Sequence, residues 1–333
     1  MSVWIDLTNA PHVHFFIQLI RKLEREGIDY FITYRMSKHL KELINLYNIP
    51  AICVGKHGKD IKDKLIQYAN RVKKLSKIIS KINPKVAVAK HSVELPRVAF
   101  GLNIKTIFVV DNEYAEAQNR LTLPLVDKII KPIPTNKWLL EKYGGREFLE
   151  FDGVCEMANV NARLKNIDHN ILKRLNISND KPIIIMRPCP NSSYCNEKDI
   201  LPEIIKEIKK RFDCYIIAFP RTKKQEILYK KLNTIVPKTL DNISLLYHSN
   251  AMIGAGGTMN RESAIIGITT VSCYPKELLG VDKYLIEKGR MIHTFDISEI
   301  IDYLENNLDK RKKVLKLEDP TEMIFKEICK VIE

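Results

Sequence analysis

The sequence predicts an α/β protein of two Rossmann-like domains facing across a cleft. Three observations carry that prediction. The chain has 333 residues, enough for two domains at roughly 100–200 residues each. Short β-branched runs alternate with helical periodicity from end to end, the pattern of βαβ units around a parallel sheet. The alternation lapses once, between Pro132 and about Asn161, where Pro132, Pro134, Gly144, Gly145 and Gly153 suggest an inter-domain connection.

The elements follow in order. Val3-Trp4-Ile5-Asp6-Leu7 reads as the first strand. After the loop Thr8 to His12 comes a helix with Phe15, Leu19 and Leu23 on one stripe and Phe16 and Ile20 beside it, stopped by Gly27. Further strands are expected at 30–33, 51–54, 86–88, 106–110 and 128–130. Between the third and fourth lies a long amphipathic helix over 61–82, its stripe formed by Ile61, Leu65, Tyr68, Val72, Leu75, Ile79 and Ile82. Lys62, Lys73, Lys74, Lys77 and Lys81 crowd its other faces. The plain interpretation is a solvated face, and the sharper one a surface that touches anionic lipid. The second half restarts with Pro182-Ile183-Ile184-Ile185-Met186 and continues with strands at 214–217, 251–253 and 269–272. The expected domains are 1–155 and 156–318. A helix within 319–333, around Thr321 to Ile332, is expected to cross back to the first domain.

Composition narrows the classes. Hydrophobic content of 45% and charged content of 28% are globular values and argue against disorder. No apolar run approaches the roughly 18–20 residues of a membrane-spanning helix. No basic segment leads into an apolar one at the N-terminus, so a cytoplasmic protein is expected, with contact at the inner face of a membrane as the variant. Seven cysteines form no C-x-x-C pair and are expected as reduced thiols. The formal charge of +14 is spread over scattered side chains, mostly Lys. The plain explanation is a Lys- and Ile-rich genome, with a polyanion partner as the alternative. The aromatic-basic interleaving of single-strand binders is absent, so nucleic acid is not the expected ligand.

The strongest chemical signal is Ile253-Gly254-Ala255-Gly256-Gly257-Thr258-Met259-Asn260-Arg261-Glu262. A strand ends, glycines follow and a helix begins. Free helix amides and the positive end of the dipole make such a turn an anion site. Thr258 adds a hydroxyl, and Glu262, one turn in, suits a ribose. Arg187 follows its strand directly and suits a diphosphate through its planar fork. Asn191, Ser192 and Ser193 behind it are expected to cap the next helix.

In the first domain, Asn9, His12 and His14 lie at the loop after strand one. His12 stands at a helix N-terminus, where the dipole favours the neutral ring, a candidate general base. A His-x-His pair also raises metal, but no carboxylate cluster accompanies it, and no metal is expected. Asp111, Asn112 and Glu113 follow the strand ending at Val110 and suit sugar hydroxyls or proton transfer, with a helix N-cap at Asp111 as the alternative. His91 and Lys283 are weaker sugar or acceptor candidates.

Gly256-Gly257 followed by Glu262-Ser263-Ala264-Ile265-Ile266-Gly267 resembles the nucleotide-binding element of GT-B glycosyltransferases and UDP-N-acetylglucosamine 2-epimerases. The chain as a whole resembles DUF354, an archaeal family of unknown function. That resemblance rests on Trp4 through Phe16, Val110-Asp111-Asn112-Glu113, and Gly254 through Gly289. It implies a GT-B-like fold in which the glycine turn holds a diphosphate and Glu262 a ribose. The epimerase segments H-R-R-E-N and H-x-E-A-G-L-R are missing; Met186-Arg187-Pro188-Cys189 and Val110 to Ala115 stand in their places. The epimerase acid and base residues therefore do not carry over. The expected function is a metal-independent glycosyltransferase using a UDP-sugar as substrate, with no cofactor and an acceptor the sequence does not name. A 2-epimerase-like sugar epimerase is the first alternative, and a non-enzymatic basic protein binding RNA or anionic lipid the second.

Overall fold

The structure is a computed structural model that describes residues 2–178, 180–189, 199–238 and 241–333. The chain divides into two compact units, residues 1–159 with 317–333, and residues 160–316.

The first unit holds a seven-stranded sheet. Its strands are β1 (Val3–Leu7), β2 (Tyr30–Met36), β3 (Ala51–Lys56), β4 (Val86–Lys90), β5 (Lys105–Val109), β6 (Lys128–Pro132) and β7 (Phe148–Phe151). Their order is β3-β2-β1-β4-β5-β6-β7, and the strand pairings among the described residues are parallel, as in Val3↔Tyr30 and Val3↔Val86. All five residues of β1 are buried, as expected for a central parallel strand covered on both faces. Strand order reverses between β1 and β4, so the loops after these two strands flank the usual ligand crevice of an open α/β sheet.

The helix Ala10–Arg25 crosses one face, burying Phe15, Phe16, Leu19, Ile20 and Leu23. The helix Pro320–Ile332 packs against it and belongs to the same unit. Lys22 Nζ lies 2.5 Å from Glu322 Oε2, and Lys128 Nζ lies 2.5 Å from the buried Glu327. The C-terminal helix thus returns to the first unit. The stretch from Pro132 to Asn161 is structured for much of its length, and the chain passes to the second unit near its end, after Asn159. It contains the helix Lys137–Lys142 and strand β7, which pairs with β6 through Ile130↔Leu149. Its glycines pack closely: a Cβ on Gly145 would lie 2.7 Å from the Phe148 ring.

The second unit holds a five-stranded sheet of β8 (Ile183–Arg187), β9 (Tyr215–Ala218), β10 (Ala251–Gly254), β11 (Thr269–Ser272) and β12 (Ile292–His293), ordered β12-β11-β10-β8-β9 and parallel. Ile184, Met186, Ile253 and Val271 form the sheet side of its core, and Leu201, Ile204, Ile208 and Leu304 cover it. Here the order reverses between β8 and β10, which makes Arg187 and Gly254 register partners at the switch point. Among the described residues no helix is long and apolar enough to cross a membrane.

Candidate functional site

The second unit brings two loops together at a candidate anion site. After β10 the chain turns through Gly254 to Gly257 and enters the helix Thr258–Ile266. Two of the glycines are required by close approach. A Cβ on Gly254 would lie 2.1 Å from Asn260 Oδ1, because Asn260 folds back to donate to the Gly254 carbonyl at 2.8 Å. A Cβ on Gly257 would lie 2.5 Å from Arg261 Nη1, which donates to Asp282 Oδ1 at 2.9 Å. The turn is therefore fixed from both sides. Gly256, Gly257 and Thr258 keep partial solvent access.

Two arginines stand at this turn. Arg187 ends β8, and the Ala255 amide donates to its carbonyl at 2.9 Å. Arg221, three residues past β9, places Nη2 3.4 Å from where a Cβ on Gly256 would be. Its Nε donates to the Pro188 carbonyl at 2.9 Å, which aims the fork. Burial pushes the Arg221 guanidinium down, and the neighbouring positive charge of Arg187 adds to it, to about 9. Burial lowers Arg187 as well, partly offset by the carboxylate of Glu262. Among the described residues neither arginine forms a salt bridge within 4 Å. Two like charges at one turn, with Glu262 acting only on Arg187, suit a bound dianion.

Glu262 is only 4% exposed and acts on Arg187 through its charge. Lys283 points outward beside Glu277, 3.8 Å away, while its neighbour Asp282 takes Arg261. The structure therefore does not bring Lys283 into the glycine turn. Asn191, Ser192 and Ser193 lie outside the described residues. Cys53, Cys155, Cys214, Cys273 and Cys329 are free, but Cys189 is disulfide-bonded, so the expectation of seven reduced thiols fails in this loop.

The first unit gathers its polar groups at the carboxyl ends of β1, β4 and β5. Asp111 pairs with Lys90 and lies 2.9 Å from His91 Nε2 through Oδ1. The Cys155 thiol also hydrogen-bonds Asp111; burial first, then this carboxylate, pushes the thiol well up. Burial lowers the Lys90 ammonium, but Asp111 outweighs it and the group stays charged. His91 holds φ +50, a left-handed conformation that costs a β-carbon-bearing residue about 1 kcal/mol. Asp111 is not a helix cap. The next helix begins only at Glu116, and Asn112 Oδ1 accepts from the Tyr114 amide instead. Glu113 is buried two residues on.

His12 and His14 part company. His14 meets Tyr47, with Nδ1 3.2 Å from its hydroxyl and the rings edge to face, so it braces two helices. The His12 Nδ1 accepts from the Thr8 amide at 3.3 Å, which assigns the ring hydrogen to Nε2. Burial, then Lys90, His91 and Arg35, drives its pKa down to about 3. The ring is neutral, but a group protonated only near pH 3 is a poor base. His12 is thereby corrected from general base to hydrogen-bond donor.

A pH dependence of stability follows. The unfolded histidine takes a proton near 6.5 while the folded one does not until about 3. Stability therefore falls as pH drops through that window, by about 2–3 kcal/mol between pH 7 and pH 4.5. Urea denaturation should show this loss in the wild type and a clearly smaller one in His12→Gln. Equal losses in both would remove His12 as the source.

Beneath these groups lies a buried ion network that supports the loop after β1. Asp6 accepts from Arg71 Nη2 at 2.6 Å and Nη1 at 3.0 Å, from Thr33 at 2.6 Å and from Ser92 at 2.6 Å. Arg71 also donates to the Val54 carbonyl at 2.7 Å and pairs with Glu94 at 3.1 Å. Burial raises the Asp6 carboxyl, but Arg71 and the hydroxyls win and hold it below the usual range. Arg35 joins the edge of the network, 3.9 Å from Glu94, and donates to the Thr8 carbonyl at 3.2 Å and to Asn9 Oδ1 at 3.4 Å. Among the described residues no group of three or more His, Cys, Asp or Glu is placed to hold a metal ion.

The model of the family described as "Protein of unknown function (DUF354)" matches residues 1–333. The chain belongs to the DUF354 family. An uncharacterized protein of Methanocaldococcus jannaschii is 63% identical to it over 338 residues, covering 100% of this chain and 99% of that one. In fold, this DUF354 protein is similar to the UDP-GlcNAc 2-epimerase of the same organism solved in complex with UDP-GlcNAc and UDP. That likeness has TM-score 0.75 at 19% identity, with 99% of this chain and 100% of that one covered. It is also similar to the spinosyn forosaminyltransferase SpnP, with TM-score 0.66 at 12% identity over 100% and 99% of the two chains. At such identities the likeness establishes the GT-B-like fold of this DUF354 member.

Sequence reasoning overlooked Arg221, Lys90, Arg35, Cys155 and the Asp6–Arg71–Glu94 network. For two of them a signal was present. Asp6 interrupts an otherwise apolar central strand, and Arg71 sits three residues after Tyr68 and four before Leu75, on the apolar stripe of its helix. An acid and a base both written into buried positions imply a pair.

Proposed function

We propose that this protein is a nucleotide-sugar enzyme that transfers a sugar from a UDP-sugar donor without a metal ion. The observation that supports it most is the pair Arg187 and Arg221 at the partly open Gly256–Thr258 turn. Two guanidinium groups and helix amides supply the positive charge that a diphosphate leaving group needs. The UDP found in the similar epimerase structure gives the base its most direct precedent. In the first unit, Asp111 is the acceptor-activating base. It stands at the end of β5 between Lys90 and His91, which fix its orientation. His12 donates from Nε2 to a sugar or acceptor oxygen.

Epimerisation is the second reading, favoured by one observation. Glu113 is buried two residues from Asp111, and removing and returning a proton at one carbon takes two such groups.

Thermal-shift titration with UDP, UDP-GlcNAc, ADP and a generic oligonucleotide separates ligand classes, since a ligand at 100 times its Kd adds about 2.7 kcal/mol. A rise with the UDP compounds is expected. A rise with the oligonucleotide alone would overturn the proposal in favour of a nucleic-acid binder. Proton NMR of UDP-GlcNAc in D2O then distinguishes the reactions: deuterium entering at C2 marks epimerisation, and UDP release that accelerates with acceptor marks transfer.

A further inference from the structure

The helix Ile61–Ile82 does not bury the whole stripe its sequence presents. Leu75, Ile79 and Arg71 are buried, but Ile61 is 86% exposed and Leu65 68%, with Ile66 and, on the edge strand β3, Ile52 also exposed. The first turns overhang the sheet. Beside this apolar tip stand Lys56, Lys59 and Lys62, all exposed. The two local acids serve the helix itself: Asp60 accepts from the Asp63 amide at 2.8 Å, and Asp63 from the Lys59 amide at 2.9 Å. Exposed aliphatic side chains ringed by lysines match a surface that is apolar inside and negative at its rim.

We infer that this tip docks the protein on an anionic lipid bilayer, with Ile61 and Leu65 entering the acyl boundary and the lysines meeting headgroup phosphates. Ionic attraction brings the surface in, and apolar burial holds it. The helix starts directly after β3, at the carboxyl edge of the sheet, the edge that also carries His12 and Asp111. A protein docked there turns that edge toward the membrane.

Co-sedimentation of the full chain with 3:1 phosphatidylcholine:phosphatidylglycerol vesicles tests this, with pure phosphatidylcholine vesicles as the reference. Partition onto the anionic vesicles is expected to exceed the reference and to fall in high salt. Ile61→Ser with Leu65→Ser should lower it roughly tenfold or more. Lys59→Gln with Lys62→Gln should lower it about fivefold per lysine. The control pair Lys209→Gln with Lys230→Gln, exposed on the other unit, should leave it unchanged. All six positions are exposed, so unchanged thermal midpoints will confirm intact folds. Binding absent or equal on both vesicle types overturns the inference, as does a loss as large in the control pair. If Ile61→Ser with Leu65→Ser instead converts a dimer to a monomer in light scattering, the face is covered by a second copy and the inference also fails.

Discussion

Replacing Arg71 with Met should destabilise the first unit by about 3–5 kcal/mol, enough to leave much of the chain unfolded at moderate temperature. The side chain is fully buried, and it is the cation shared by Asp6 and Glu94. Without it two carboxylates remain inside the protein near one another. Thr33 and Ser92 can donate to Asp6 but bring no charge. Arg71→Lys should recover only part of the loss. A single ammonium cannot serve both Asp6 oxygens, Glu94 and the Val54 carbonyl together. The pH dependence has a defined sign. The folded carboxyl of Asp6 lies below its ordinary value, so its contribution is present above about pH 4 and disappears as pH falls further. Urea titration followed by circular dichroism measures all three proteins. A change under about 0.5 kcal/mol in Arg71→Met would mean the network contributes no net stability.

Replacing Arg221 with Ala should weaken UDP binding roughly 10–100-fold, and Arg187→Ala should do the same. The opposite effect is expected on stability. Arg187 is partly buried and Arg221 is exposed, and the positive charge of Arg187 acts on Arg221, so removing Arg221 relieves that repulsion and leaves no carboxylate stranded. The thermal midpoint of ligand-free Arg221→Ala should equal or exceed that of the wild type. A residue kept for binding at a stability cost behaves in this way. Arg187→Ala should gain less, since it also strips the field that Arg187 shares with Glu262. Calorimetric titration with UDP and a thermal scan of the free proteins read both quantities. A variant that loses stability and keeps its affinity would identify Arg221 as a structural cation.

Much of the fold was legible because parallel sheets leave a plain record. Strands such as β1 and β8 are buried on both faces and read as short apolar runs, and the glycine turn after β10 declares itself by composition. Strands β7 and β12 were not legible. The first is four residues containing Glu150, whose partner Lys131 is buried one strand away, and the second has two residues. Neither is long enough to show a period. The candidate site was legible where backbone places its residues, at Gly256 to Thr258 and Arg187 beside the switch point, and at Asp111 after β5. It was obscure where function rests on a side chain arriving from another loop. Arg221 looks like any surface arginine until β9 sets it against Gly256. His12 shows the reverse problem. Its position promises a neutral ring, but only the surrounding Lys90, His91 and Arg35 reveal how far its basicity falls.

A crystal structure of the protein with UDP tests the central claim most directly. The pyrophosphate is expected within hydrogen-bond distance of the Gly257 and Thr258 amides, with the guanidinium forks of Arg187 and Arg221 closed on its oxygens. Pyrophosphate bound elsewhere, with both arginines unmoved and solvent over the glycine turn, would contradict it.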